Sequence, residues 1–310
     1  MSQPSNIYLR RRLTALAVVA GVLVLAVVLI GSGGRDQPRR TAAKDKPPAE
    51  VQLPRGGRSI LPEFRVVAYY GAPQSRELGA LGIGSPQAAA RRLERQAKPY
   101  ERKNQPVLPA LELITVIANA DPGDDGMYRA RQTDAVIRRY LQAARKAKAL
   151  LLLDIQPGRS DFFTEATRLE KWLKEPDVSL ALDPEWRVRD GEVPGQIIGH
   201  VDAREVNATS AWLSQLVARY KLPEKLFVIH QFTDDMVPEA ELKERAGLAL
   251  VLNVDGFGDV PNKKSKYKAF TEQAPDAYHG FKLFYEEDTN LMRPAQVMRL
   301  RPRPVLVVYE

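Results

Sequence analysis

The chain has 310 residues, 46 Lys and Arg against 38 Asp and Glu, no cysteine, and 44% hydrophobic with 7% aromatic residues. That composition suits one large globular domain or two ordinary ones, and it excludes a wholly disordered chain, a disulfide scaffold, a thiolate metal centre and a cysteine nucleophile. The net charge of +8 is uneven: ten basic and four acidic residues precede Phe64 and 36 basic face 34 acidic beyond it, so the body lacks the basic surface that a nucleic-acid partner requires.

Residues 1–12 form a short head ending in Arg10, Arg11 and Arg12. Residues 13–30 (LTALAVVAGVLVLAVVLI) follow without a charge, and as a helix they would be about 27 Å long, enough to span a bilayer core. The apolar run is longer than a usual signal-peptide core and ends without a small-x-small cleavage site, which favours an uncleaved transmembrane signal anchor over a cleaved signal. Arg35, Arg39 and Arg40 compete with the Arg triplet under the positive-inside rule. The short head and large following domain nevertheless suit a cytoplasmic N-terminus, which makes the protein a single-pass cell-membrane protein with its body extracytoplasmic. Residues 31–63 combine Gly, Pro and mixed charge with almost no apolar periodicity, the composition of a flexible stalk.

From residue 64 onward, apolar β-rich runs recur at 65–71, 111–118, 149–156, 178–186, 225–232, 248–258, 280–288 and 304–310. Most are continuous rather than alternating, as in parallel strands covered on both faces. Helices are expected between them at 86–101, opened by Ser85 as cap and Pro86 at the first helical position, then at 127–148, 162–174, 203–220, 238–247, 265–274 and 290–300. Eight strands alternating with seven helices over residues 64–310 predict an α/β fold, a (β/α)8 TIM barrel. No helix follows the last strand, so another segment, such as the one ahead of the first strand, has to cover that flank. An open doubly wound sheet is disfavoured, because Gly79, Gly82 and Gly84 after the first strand do not follow G-x-G-x-x-G spacing.

Active sites of such barrels lie at the C-terminal strand ends, which here carry Tyr69, Tyr70, Asp154, Gln156, Asp183, Glu185, Trp186, His230, Gln231, Asp255, Tyr285 and Glu286. In Asp183-Pro184-Glu185-Trp186, strand alternation would send both carboxylates into the mouth. Two such groups repel when ionised, so one keeps its proton near neutrality, as a general acid must. Glycoside hydrolysis uses a pair of this kind, with Glu185 as acid/base and Asp183 or Asp154 as nucleophile or stabiliser. Tyr69, Tyr70, Trp186 and Tyr285 would give flat faces to sugar rings, with Gln156, His230, Gln231, Asp255 and Glu286 as further substrate contacts. The alternatives are structural: Asp183 and Glu185 pairing with Arg187 or Arg189, Asp154 bonding the turn at Pro157-Gly158, Asp255 forming a turn, and His230 as a satisfied core group. Only one of the consecutive His230 and Gln231 can point inward. A metal cluster of Asp154, Asp183, Glu185, His230 and Asp255 finds no support in an H-x-H or a close His pair, and only three His exist. Neither metal nor cofactor is therefore expected.

The D-x-E at the end of the fourth strand resembles the tail of the acidic motif of family 18 chitinases and the paired acids of family 25 lysozymes. That resemblance implies a catalytic acid at Glu185 assisted by Asp183. Positions 176–182 read PDVSLAL, so the longer D-x-x-D-x-D-x-E run of the chitinases is not present. The whole chain also resembles a group of membrane-anchored or secreted actinobacterial proteins of unassigned function. The expectation is a membrane-tethered glycoside hydrolase-like barrel acting on a cell-envelope polysaccharide or peptidoglycan, or else a non-catalytic glycan-binding or scaffold barrel.

Overall fold

The computed structural model describes residues 50–310, and these form one compact unit. The expected head, the anchor at 13–30 and residues 31–49 of the stalk lie outside the described residues. Among the described residues no helix is long and apolar enough to cross a membrane.

All eight expected strands are present: β1 (Arg65–Gly71), β2 (Val107–Ala118), β4 (Leu150–Ile155), β5 (Val178–Leu182), β6 (Lys225–Gln231), β7 (Leu248–Val254), β8 (Tyr278–Leu283) and β9 (Leu306–Tyr309). They pair in parallel in the order β1-β9-β8-β7-β6-β5-β4-β2, and β1 pairs with β2 to close the barrel. Seven helices are wound around it: α1 (Pro86–Ala97), α2 (Asp134–Lys146), α3 (Phe162–Arg168), α4 (Glu170–Leu173), α5 (Ala203–Tyr220), α6 (Val260–Gln273) and α7 (Pro294–Val297). The apolar strands are explained by two packed layers. Val67, Leu111, Leu153, Leu180 and Phe227 face the helices, while Val66, Leu108, Leu152, Ala181 and Val228 fill the barrel.

Three expectations are corrected. The helix expected at 127–148 begins only after Thr133, whose side chain caps it by accepting from Val136 N. Ahead of that cap a short strand, β3 (Arg129–Arg131), pairs antiparallel with the end of β2. Extended backbone puts Arg129 and Arg131 on one side, and both bind the fully buried Glu165 carboxylate, at 3.0 and 2.6 Å. The helix expected at 238–247 is a loop with one turn at Glu239–Glu241. Asn207 of α5 holds that loop by donating to Glu241 O at 2.9 Å and accepting from Lys243 N at 2.8 Å.

The third correction concerns residues 50–63, expected as the end of the stalk. Leu53, Ile60 and Leu61 are buried and pack with Phe64 against the inner layer. Glu224 accepts from the amides of Ile60 and Leu61, and Arg58 donates to the carbonyls of Lys221 and Leu222. This segment therefore plugs the barrel at the end opposite the strand termini. The flank outside β9 is covered differently, by Tyr100, whose hydroxyl lies 2.6 Å from that of Tyr309, and by Val297, Met298 and Leu300 in the outer layer.

Candidate active site

A cavity of about 290 Å³ opens at the C-terminal ends of the strands, with Asp183, Glu185, Asp255, Lys282 and Glu310 among its polar lining. Its apolar wall comes from Trp186, Phe232, Phe257, Phe284 and Ile114, and Tyr70 and Gln156 contribute to its lining. Asp183 and Glu185 do converge, although not by strand alternation. β5 stops at Leu182, and Pro184–Trp186 form a tight 3-10 turn that carries Glu185 and Trp186 to the cavity. The structural alternative for this pair does not hold: Arg187 pairs with Glu205 at 3.3 Å, and among the ion pairs of the described residues none joins Arg189 to Asp183 or Glu185.

Burial and the neighbouring Asp183 and Asp255 charges push the Glu185 carboxyl up to about 8. Asp183 is also raised by burial, although His230 and Lys282 oppose the rise. Its Oδ2 accepts from the Tyr70 hydroxyl at 3.2 Å, and Gln156 Nε2 donates to that hydroxyl at 2.8 Å. Tyr70 thus spans the gap to Asp154, whose Oδ1 lies 3.5 Å from the same oxygen. Asp154 itself is 0% exposed and sits below the cavity rather than on its wall. Burial and Asp183 hold its carboxyl well above the ordinary Asp range.

His230, not Gln231, points inward. It lies beneath the cavity with Nδ1 at 2.9 Å from Asp255 Oδ2 and Nε2 at 2.9 Å from Glu112 Oε1. Burial disfavours the charged ring, but Glu112 and Asp255 outweigh burial and raise it well above the usual His range. Asp255 is in turn held 2.9 Å from Lys282 Nζ, and Lys282 also binds Glu310 Oε2 at 2.7 Å. Burial would raise Asp255, yet Lys282 and His230 pull it below the usual carboxylate range.

Besides His230, four expected contacts lie off the cavity. Tyr69 precedes the inward Tyr70 on the same strand and so faces the helix layer, its hydroxyl 3.2 Å from that of Tyr285. Tyr285 lies beyond the end of β8 and stacks on Tyr309 at 5.3 Å. Gln231 faces outward, bonded to Glu239. Glu286 is exposed and pairs with Arg76, whereas the adjacent Glu287 lines the cavity.

The sequence reading missed Glu112, Asn253, Lys282 and Glu310. Glu112 and Lys282 each interrupt an apolar strand run at an inward position, and a charge inside such a run was the available signal. Asn253 stands 3.2 Å from His230 Nδ1 and fits there because its neighbour on β8 is Gly280. A Cβ at Gly280 would lie 2.3 Å from Asn253 Oδ1. Gly280→Ala should therefore force Asn253 against His230 and destabilise the protein by about 1–3 kcal/mol, which urea unfolding would read as a lower midpoint with an unchanged slope.

No known protein-family model matches the chain, and no curated protein sequence matches it.

Proposed function

We propose that this barrel is a membrane-tethered, extracytoplasmic glycoside hydrolase acting on a cell-envelope glycan, anchored through residues 13–30. The observation that carries the reading is the meeting of Asp183 and Glu185 in one cavity walled by Trp186, Phe232, Phe257 and Phe284. Aromatic faces suit sugar rings, and two unlike carboxyl groups suit protonation of a leaving oxygen beside stabilisation of an oxocarbenium-like state. Glu185, protonated at neutral pH, serves as general acid/base. Asp183, fixed by Tyr70, serves as nucleophile or stabiliser. Asp154 acts from below through the Tyr70 hydroxyl rather than on the sugar.

The test is release of reducing ends from envelope polysaccharides and peptidoglycan by the purified full chain across pH. The acid form of Glu185 is lost as pH rises through about 8, so kcat/KM should fall on that limb. The acidic limb, set by ionisation of Asp183, should lie above the ordinary Asp range. A wild-type protein that binds these glycans and cleaves none of them would leave a binding or scaffold barrel as the correct description.

A further inference from the structure

Below the cavity, β2, β4 and β6 bring Glu112, Asp154 and His230 together, none of them more than 1% exposed. One donor atom from each lies within 4.8 Å of the others. His230 Nε2 is 2.9 Å from Glu112 Oε1 and 3.8 Å from Asp154 Oδ2. Ligands each about 2.1 Å from a small cation stand about 3 Å apart at right angles and about 3.4 Å apart at tetrahedral angles, so the first spacing already matches and a small inward shift of Asp154 completes the set.

Two further observations point to a ligand. Glu112 Oε2 and Asp154 Oδ2 are buried without any hydrogen-bond partner, and an oxygen in that state bears its full desolvation cost. Lys282 is committed to Asp255 and Glu310, which leaves His230 as the cationic group directly against Glu112 and Asp154.

The ring is set for coordination from its other side. Asp255 binds Nδ1, and is itself fixed by Lys282 and by Gly256 N, which donates to its Oδ1 at 2.6 Å. A carboxylate on one imidazole nitrogen fixes the proton there and turns the other nitrogen toward a metal, the usual second layer of a histidine-ligated ion. We propose that Glu112, Asp154 and His230 bind one first-row divalent transition cation in the barrel core. The ion takes the place of the Nε2 proton, satisfies the orphaned Asp154 Oδ2, takes a carboxylate oxygen of Glu112 and ties three strands together. Two carboxylates with one imidazole suit Zn²⁺ or Mn²⁺ better than Ca²⁺ or Mg²⁺, which prefer an all-oxygen set. The absence of paired histidines, which spoke against a metal in the sequence, has no force here, since one histidine suffices. The proposal stands independently of the glycan reading.

The test is calorimetry and metal analysis on chelator-treated full chain titrated with Zn²⁺ or Mn²⁺, with Mg²⁺ as control. About one ion per chain should bind and raise the melting temperature, while Mg²⁺ should not. Asp154→Asn and His230→Gln should weaken binding at least ~100-fold, and Asp255→Asn, which changes the group on Nδ1 and also the partner of Lys282, about 10- to 100-fold. Circular dichroism confirms that each variant folds. The Mn²⁺-loaded wild type, which needs no variant, should show coupling to one imidazole nitrogen by pulsed electron paramagnetic resonance. Failure of wild type to take up Zn²⁺ or Mn²⁺ stoichiometrically, a bound ion without that coupling, or undiminished binding by folded Asp154→Asn would each overturn the site. His230 would then be a charged ring bridging Glu112 and Asp255. None of these readouts depends on glycan cleavage.

Discussion

Glu185→Gln is expected to lower kcat for glycan cleavage by about 10²- to 10⁴-fold, the usual contribution of a positioned general acid, while glycan affinity changes little. Gln keeps the shape and the hydrogen-bonding edge of the side chain but cannot deliver a proton to the leaving oxygen. The same substitution makes a second, opposite expectation for stability. Glu185 is protonated in the folded chain up to about 8, whereas in the unfolded chain it ionises near the ordinary Glu value of 4.5. Between those values the folded state holds the extra proton, so the wild type loses stability as pH rises through that window. Glu185→Gln removes this dependence and should gain stability relative to wild type from about pH 4.5 to about 8, with no further gain beyond. Denaturant unfolding at several pH values reads it. A variant that is less active and yet more stable at alkaline pH marks a residue kept for chemistry. An equally inactive variant that is less stable at every pH would instead assign Glu185 to packing.

The barrel was legible because its signal is simple: eight apolar runs, each covered on two faces, separated by amphipathic stretches. Ser85-Pro86 and the 203–220 helix read directly from cap chemistry and periodicity. The failures have local causes. Residues 127–133 carry charges that suit a helix surface, but the buried Glu165 recruits two alternate arginines and extends the chain. Residues 50–63 look like linker because Leu53, Ile60 and Leu61 are few and scattered, and only the open end of the barrel gives them a place to be buried. In the site, Asp183 and Glu185 meet as expected, but the 3-10 turn at Pro184 replaces the expected strand alternation. Tyr69 illustrates the opposite case, in which alternation holds and sends an expected sugar platform into the helix layer. Glu112 lies in the middle of β2, and Lys282 lies near the start of the run expected at 280–288 although β8 ends at Leu283, so a search confined to the expected strand ends passes over both.

Lys282→Met should be the most destabilising single change in the polar core, costing about 3–5 kcal/mol. Lys282 is 3% exposed and lies between Asp255 and Glu310, with its ammonium 3.9 Å from the centre of the Tyr70 ring. Burial works against its charge, yet Asp255, Glu310 and Asp183 outweigh burial and raise it well above the ordinary Lys range. Met preserves the length and the contact with the ring, so lost packing contributes little. The cost arises because two carboxylates are left facing each other without their shared cation, and a buried charge stripped of its partner is far more costly than a missing pair. The double variant Lys282→Met/Glu310→Gln should therefore recover part of the loss, although it removes one more native ion-pair partner. Urea unfolding of the wild type, both single variants and the double variant forms the cycle that measures this coupling. A loss below about 1 kcal/mol, the scale of a surface pair, or a double variant no more stable than Lys282→Met, would mean that Asp255 and Glu310 find other compensation in the core. Recovery in the double variant would instead identify Lys282 as the cation that allows acidic residues to gather at the mouth of this barrel.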